Sequence, residues 1–230
     1  MRAAPIRGNN IIRADHLSPA LGHSESFNSQ SKTAAAIGVE DARSLVRRSI
    51  LQISGHGIST FVALLMRAVQ LEEERPVAYV AGWKNGLFPP DLFRIGIQLK
   101  RLLMVRPPNP SDCFWAVDTL IRSGQFGLVV FEAPSQPRIS LGATNRLSHI
   151  VRRQGTTLVV ATQEAQPLLA SAVAVQGEIT MKTVRDGLWR LSLKTHRNRI
   201  SLPPIVEDID DNSCMRPDSG FQAADSRSAS

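Results

Sequence analysis

The residues whose types and spacing could do chemistry lie between Leu51 and Met66, LQISGHGISTFVALLM. A short apolar segment, Ile50 to Ile53, runs into the turn Ser54-Gly55-His56-Gly57, then the hydroxyl pair Ser59-Thr60, then an amphipathic stretch. Strand, glycine turn and helix in that order are the setting of a phosphate-binding loop, whose backbone N–H groups cradle phosphates. The full loop, G-x-x-x-x-G-K-[ST], also needs a lysine to reach the β- and γ-phosphates and a hydroxyl to ligate magnesium. Here the turn is short, and no lysine occurs between Lys32 and Lys84. Either the match is accidental, or an ATPase fold has lost its ATPase.

Other reactive groups form no recognisable set. The two cysteines, Cys113 and Cys214, give neither a disulfide framework nor a metal site, and a reducing, cytoplasmic setting is expected. The five histidines are scattered without ligand spacing, so neither a metal nor another cofactor is expected. No Ser/His/Asp or Cys/His arrangement suggests a hydrolytic centre. His56 reads first as a turn residue, and Phe114 and Trp115 as core.

A chain of 230 residues with 43% hydrophobic content can build one α/β domain with a substantial core. Its longest apolar stretches are too short to cross a bilayer. The first residues carry arginines without a hydrophobic segment, unlike a secretory signal. Charge is unevenly placed: the chain is +7 overall, but residues 206–230 hold six acids against two bases, leaving +11 on residues 1–205. A basic body with an acidic end suits a polyanionic or acidic partner. The expected organisation is a disordered leader (1–37), a core domain (38–203) and an acidic disordered tail (204–230).

Strand–helix alternation runs through the core. Strands are expected at 50–54, 77–81, 102–105, 127–132 and 156–162, as short apolar runs. Helices are expected at 39–48, 59–74, 90–100, 111–123 and 143–153. In the first, Arg43, Arg47 and Arg48 point away from the apolar face; in the second, Phe61, Leu64, Leu65, Ala68 and Leu71 form the inner face. Two alternating segments, 172–184 and 188–195, joined by Arg185-Asp186-Gly187, read as an antiparallel hairpin. Its basic residues Lys182, Arg185, Arg190 and Lys194 are candidates for contacting single-stranded DNA.

Three segments resemble the RecA family, over about Ile50 to Ile200. TLIRSGQFGLVVFE (Thr119 to Glu132) is similar to the helix and strand that end on the magnesium-associated acid. TTLVVATQEA (Thr156 to Ala165) is similar to the next strand, which ends in a nucleotide-sensing glutamine. LKTHRNRI (Leu193 to Ile200) is similar to the segment whose two cations, flanking an asparagine, reach ATP on a neighbouring protomer. LLMVRPP (Leu102 to Pro108) points to the ImuA-like branch, with SulA-like division inhibitors more distant.

The resemblance implies an α/β fold: a RecA-like, mostly parallel central sheet flanked by helices, with an antiparallel hairpin at its C-terminal edge. It implies that Gly55, Gly57, Ser59, Thr60, Glu132 and Gln163 are remnants of a nucleotide site, and that Arg197, Asn198 and Arg199 face a partner's nucleotide. Departures from the pattern argue against catalysis. The lysine is missing, Trp83 stands where a catalytic glutamate is usual, and the loops after Glu132 and Gln163 are short. The implied function is that of an inactive accessory protein of the bacterial SOS response. It would bind RecA and link it to an ImuB-like protein and a DnaE-type translesion polymerase. The alternative implied is a SulA-like inhibitor of FtsZ polymerisation. Beside these stands the plainer reading of Arg197 and Arg199 as a solvated strand end or generic DNA contacts.

Overall fold

Apolar residues that run without interruption, as in LVVF at 128–131 and TLVVA at 157–161, leave a strand no polar face to turn to water. Such strands must be covered on both sides. The computed structural model describes residues 35–82, 87–134, 139–163, 168–169 and 172–215. In chain order these form α1 (Val39–Leu45), β1 (Ile50–Gly55), α2 (Ile58–Glu72), β2 (Val77–Val80), α3 (Pro89–Arg94), β3 (Leu102–Val105) and α4 (Asp112–Ser123). There follow β4 (Leu128–Glu132), α5 (Leu141–Gln154), β5 (Thr157–Ala161), β6 (Val175–Arg185), β7 (Leu188–Asn198) and β8 (Ile205–Asp210).

One eight-stranded sheet has the order β3-β2-β4-β5-β1-β6-β7-β8. From β3 to β6 neighbouring strands are parallel; β6–β7 and β7–β8 are antiparallel. This is the expected fold class. Alternation along the central strands sorts side chains into two cores. Leu51, Ile53, Tyr79, Leu128 and Val130 pack with α1 and α2, whereas Ile50, Val80, Val129, Phe131 and Val160 pack with α4 and α5. Among the described residues no helix is long and apolar enough to cross a membrane.

Several expectations need correction. The acidic segment expected to begin a tail instead supplies β8. Ile205 and Ile209 turn into the core, and Asp208 meets Arg190 of β7 with two bonds of 2.7 and 2.8 Å. One of the acids expected in a solvated tail is thus the cross-strand partner of a hairpin arginine. At the other boundary Ile37, placed in the leader, bridges to Ile205. Helix α1 stops at Leu45, so Arg43 is buried rather than exposed. It pairs with Glu72 at 3.2 Å and with Glu73, and burial lowers its pKa. Helix α3 is only six residues long, because Gly96 follows at φ 98°. Trp115 is 70% exposed and Leu71 68% exposed, so neither is core. Trp83 and the residues before 35 and after 215 lie outside the described residues.

Arg75 ties the two helices of one face to the sheet. Its guanidinium donates to the carbonyls of Gly124 (3.0 Å), Gly155 (3.1 Å), Gln154 (3.3 Å) and Phe126, and to Thr156 Oγ1 (3.2 Å). Gly124 and Gly155 close α4 and α5, so one planar fork satisfies carbonyls that both helices leave open. Replacing Arg75 with lysine strands most of these acceptors. A loss of about 1–3 kcal/mol in urea unfolding, with unchanged m, is expected.

Candidate functional site

Parallel strands deliver their last residues to one edge of a sheet, and here that edge collects most of the candidate residues. Gly55 ends β1 and Glu132 ends β4; Gln163 follows β5 by two residues and is exposed. Ser59 and Thr60 start α2, directly after the turn. Strands β4 and β1 are two steps apart in the sheet, which places them roughly 10 Å apart. The structure therefore brings Gly55, Gly57, Ser59, Thr60, Glu132 and Gln163 to a common edge.

The turn itself is pinned from the side. Gly55 has φ 100° and Gly57 φ 93°, the left-handed region that glycine enters without strain. A Cβ on Gly55 would stand 2.4 Å from the carbonyl oxygen of Ile179, and one on Gly57 would stand 3.0 Å from Met181 Cβ. Both neighbours belong to β6. The two glycines are required by the close approach of β6, whether or not a phosphate ever lies above them. His56 is exposed at the tip of this turn.

Of the two hydroxyls that follow the turn, Ser59 stands two residues after Gly57 and is partly exposed, whereas Thr60 is already used. Thr60 is 1% exposed, and its Oγ1 accepts the Met215 N–H at 3.1 Å. Cys214 Sγ lies 3.9 Å from the same oxygen and 3.8 Å from Met181 Sδ. Arg94 of α3 holds this segment by donating to the Cys214 carbonyl at 2.8 Å. Burial pushes the Cys214 thiol pKa up, so it stays protonated. Sequence reasoning missed this contact. The available signal was the pair Cys214-Met215, apolar residues standing directly after an acidic run.

Glu132 is fully buried. Strand parity turns it to the α2 side of the sheet, as it does Tyr79, whose partner across the β2–β4 ladder is Val130. Burial first, then the charge of Glu132 and a hydrogen bond to it, raise the Tyr79 pKa well above its ordinary value of 10.0. The Glu132 carboxylate thus lies on the same side of the sheet as a phenol. Among the described residues, no group of three or more acidic, cysteine or histidine side chains is placed to hold a metal.

The remaining candidates lie elsewhere. Arg197 and Asn198 end β7, and Arg199 follows, its backbone N–H bonded to the Ala174 carbonyl at 2.8 Å. Val175, paired with Asn198, lies beside Leu51 at the amino half of β1, whereas the turn Gly55 lies beside Ile179. The two groups therefore occupy opposite edges of the sheet. Asn198 is committed to the fold: its side chain donates to the Leu202 carbonyl at 2.7 Å and accepts the Leu202 N–H at 2.8 Å. Lys182, Arg185, Arg190 and Lys194 are all exposed on the hairpin. Arg190 lies between Lys182 and Asp208 in one cross-strand row, and Lys194 lies opposite Glu178. The hairpin face is thus of mixed charge rather than a basic patch. Trp189 is half-buried and donates to Asp211 at 2.7 Å.

Two outcomes are expected from this geometry. Thr60→Val leaves the Met215 N–H without its acceptor, which costs about 1–2 kcal/mol, and Cys214 then reacts faster with a disulfide reagent than in the native chain. Tyr79 is the single tyrosine, so alkaline titration reads it alone. Its raised folded pKa contributes stability that is fully present below pH 10.0 and lost as pH climbs through the folded value. Tyrosinate absorbance should therefore grow only together with loss of circular dichroism. A tyrosinate signal near pH 10.0 in an intact fold would contradict the Tyr79–Glu132 contact.

No protein-family model and no curated protein sequence matches the chain. Among solved structures, the crystal structure of the RadB recombinase is similar, with a TM-score of 0.52 and 18% sequence identity, over 70% of this chain and 86% of that one. The chain thus has a RecA-like fold, shared with the RadB recombinase.

Proposed function

We propose that the chain is a RecA-like accessory protein of the bacterial DNA-damage response that performs no ATP hydrolysis of its own. It acts in translesion synthesis by binding RecA, modulating its filament and linking it to an ImuB-like protein and a DnaE-type polymerase. The observation that carries this reading is the state of the turn after β1. Ile58 stands where the phosphate-binding pattern needs a lysine, and Thr60, one of the two hydroxyls that follow, is buried beneath Met215. Glu132, the other group an active site would direct at magnesium, is buried beside Tyr79.

Support for docking on a related protein comes from the two edges of the sheet. Head-to-tail assembly needs two different complementary faces on each subunit. The edge with Arg197 and Arg199 offers guanidinium groups suited to a neighbour's phosphates. The edge with the closed turn has nothing equivalent to offer the next subunit. A molecule of this kind joins a filament at one end and stops it.

The test mixes the purified chain with RecA, ATP and single-stranded DNA. A complex, shorter filaments and a changed RecA ATPase rate are expected. The double variant Arg197→Ala/Arg199→Ala should weaken the complex roughly tenfold, about 1.4 kcal/mol. No complex and unaltered filaments would remove the reading. The chain alone with ATP should show no hydrolysis, and adding magnesium should bring no further thermal stabilisation; an intact magnesium–nucleotide site at a hundredfold excess over Kd would add about 2.7 kcal/mol. Sedimentation of FtsZ should be unchanged by the chain, and inhibition there would favour a SulA-like role instead.

A further inference from the structure

At the amino edge of the sheet three guanidinium groups converge around the start of β1. Helix α1 ends at Leu45 and β1 begins at Ile50, so Arg47 and Arg48 fall in the short reversal between them. Arg152, in the last turn of α5, approaches from the other face of the sheet. Together with Ser49 and Ser148 they line a pocket of about 140 Å³ whose walls include no aspartate or glutamate. Three like charges brought together in this way repel one another unless an anion lies between them.

The protein's own acids do not supply that anion. Arg47 shares Glu73 at 3.3 Å, but among the described residues neither Arg48 nor Arg152 makes an ion pair. The positive potential is felt nearby: the charge of Arg47 helps lower the pKa of both Arg43 and Arg75, where burial is the larger cause. The carboxyl end of α5 favours cations, and Arg75 uses that end fully, donating to Gln154 and Gly155. Arg48 passes the same glycine, its Nε 3.6 Å from where a Cβ on Gly155 would be.

A second observation points the same way. Arg48 is held at φ 60°, one of two non-glycine residues in the left-handed region among the described residues. That conformation costs an L-residue about 1–2 kcal/mol, and strain of this kind gathers at ligand sites. Here it fixes the reversal that places Arg48 in the same pocket wall as Arg152.

We propose that this pocket is a phosphate-binding site, taking a phosphate group carried by a nucleic-acid backbone or by a nucleotide. Guanidinium forks match the geometry of phosphate oxygens, and the two serines stand at the same wall. The site lies across the sheet from the Gly55–Gly57 turn and does not use the exposed bases of the β6–β7 hairpin. It stands independently of any contact with RecA.

The full-length chain is tested without RecA, against inorganic phosphate, ATP and a fluorescent single-stranded oligonucleotide. Two variants are compared, Arg48→Gly and Arg152→Gln. Glycine accepts a positive φ without strain, so Arg48→Gly should melt no lower than the native chain while losing the guanidinium. Each variant is expected to weaken binding about tenfold. If the loss falls on the oligonucleotide, the slope of log affinity against log salt should shrink by roughly 0.7 per lost contact, assigning a strand backbone. If it falls on ATP or phosphate alone, the ligand is a mononucleotide or free phosphate. Native affinity for all three probes in both variants, or no binding of any probe by the native chain, would overturn the proposal.

Discussion

The close approach of β6 to the turn after β1 is the contact on which the carboxyl edge of this molecule depends. Gly55 and Gly57 admit the Ile179 carbonyl and the Met181 side chain at distances no Cβ would permit. With β6 in that position, β7 and β8 follow as antiparallel neighbours. The chain leaving β8 then reaches Thr60. The same turn that in a nucleotide-binding protein opens toward phosphate is here closed on one side by a strand and on another by the chain's own last described residues. Burying Thr60 is offset by the Met215 N–H that its hydroxyl accepts, and the burial of Tyr79 beside Glu132 shows in the raised phenol pKa.

Charge divides the molecule in a way that total composition conceals. The acids in and after β8 are spent locally: Asp208 on Arg190, Asp211 on Trp189, Glu207 on the Val39 N–H and Asp210 on Ser213. Glu72 and Glu73 attend Arg43 and Arg47. The net positive charge is therefore not spread evenly. It is left over where arginines outnumber local acids, around the reversal between α1 and β1. The helix carboxyl end beside it is taken up by Arg75, so the excess charge stays at the reversal.

Much of the architecture was legible from sequence, because the central strands are continuous apolar runs and the Asp186-Gly187 turn has the chemistry of a two-residue hairpin. The strand ends carrying Glu132 and Gln163 could be placed from those runs alone. What could not be read were contacts between distant segments. Nothing local in DARSLVRR reveals that Arg43 turns inward, since Glu72 and Glu73 reach it from α2. Trp115 looked like core because of its type, yet helix parity puts it outside while Cys113 and Val117 point in. The acids of β8 looked like a tail because charge density outweighed the spacing of Ile205 and Ile209. Thr60 looked like a ligand because its neighbours in sequence said so; its actual partner lies 155 residues away.

That separation has a bearing on how the chain is made. Strand β1 is central, yet both strands beside it, β5 and β6, lie more than a hundred residues later. A ribosome that has released β1 and α2 has produced a strand without neighbours and a helix whose first buried hydroxyl has no donor. The sheet cannot close until β5 and β6 emerge, and the cover over Thr60 arrives later still, with Met215. Long-range pairing of this kind is slow and leaves apolar strands exposed in the interval. The cover over Thr60 thus follows the closing of the sheet, and nascent chains interrupted between β6 and residue 215 would hold the turn closed by β6 but leave the Thr60 hydroxyl without the Met215 N–H.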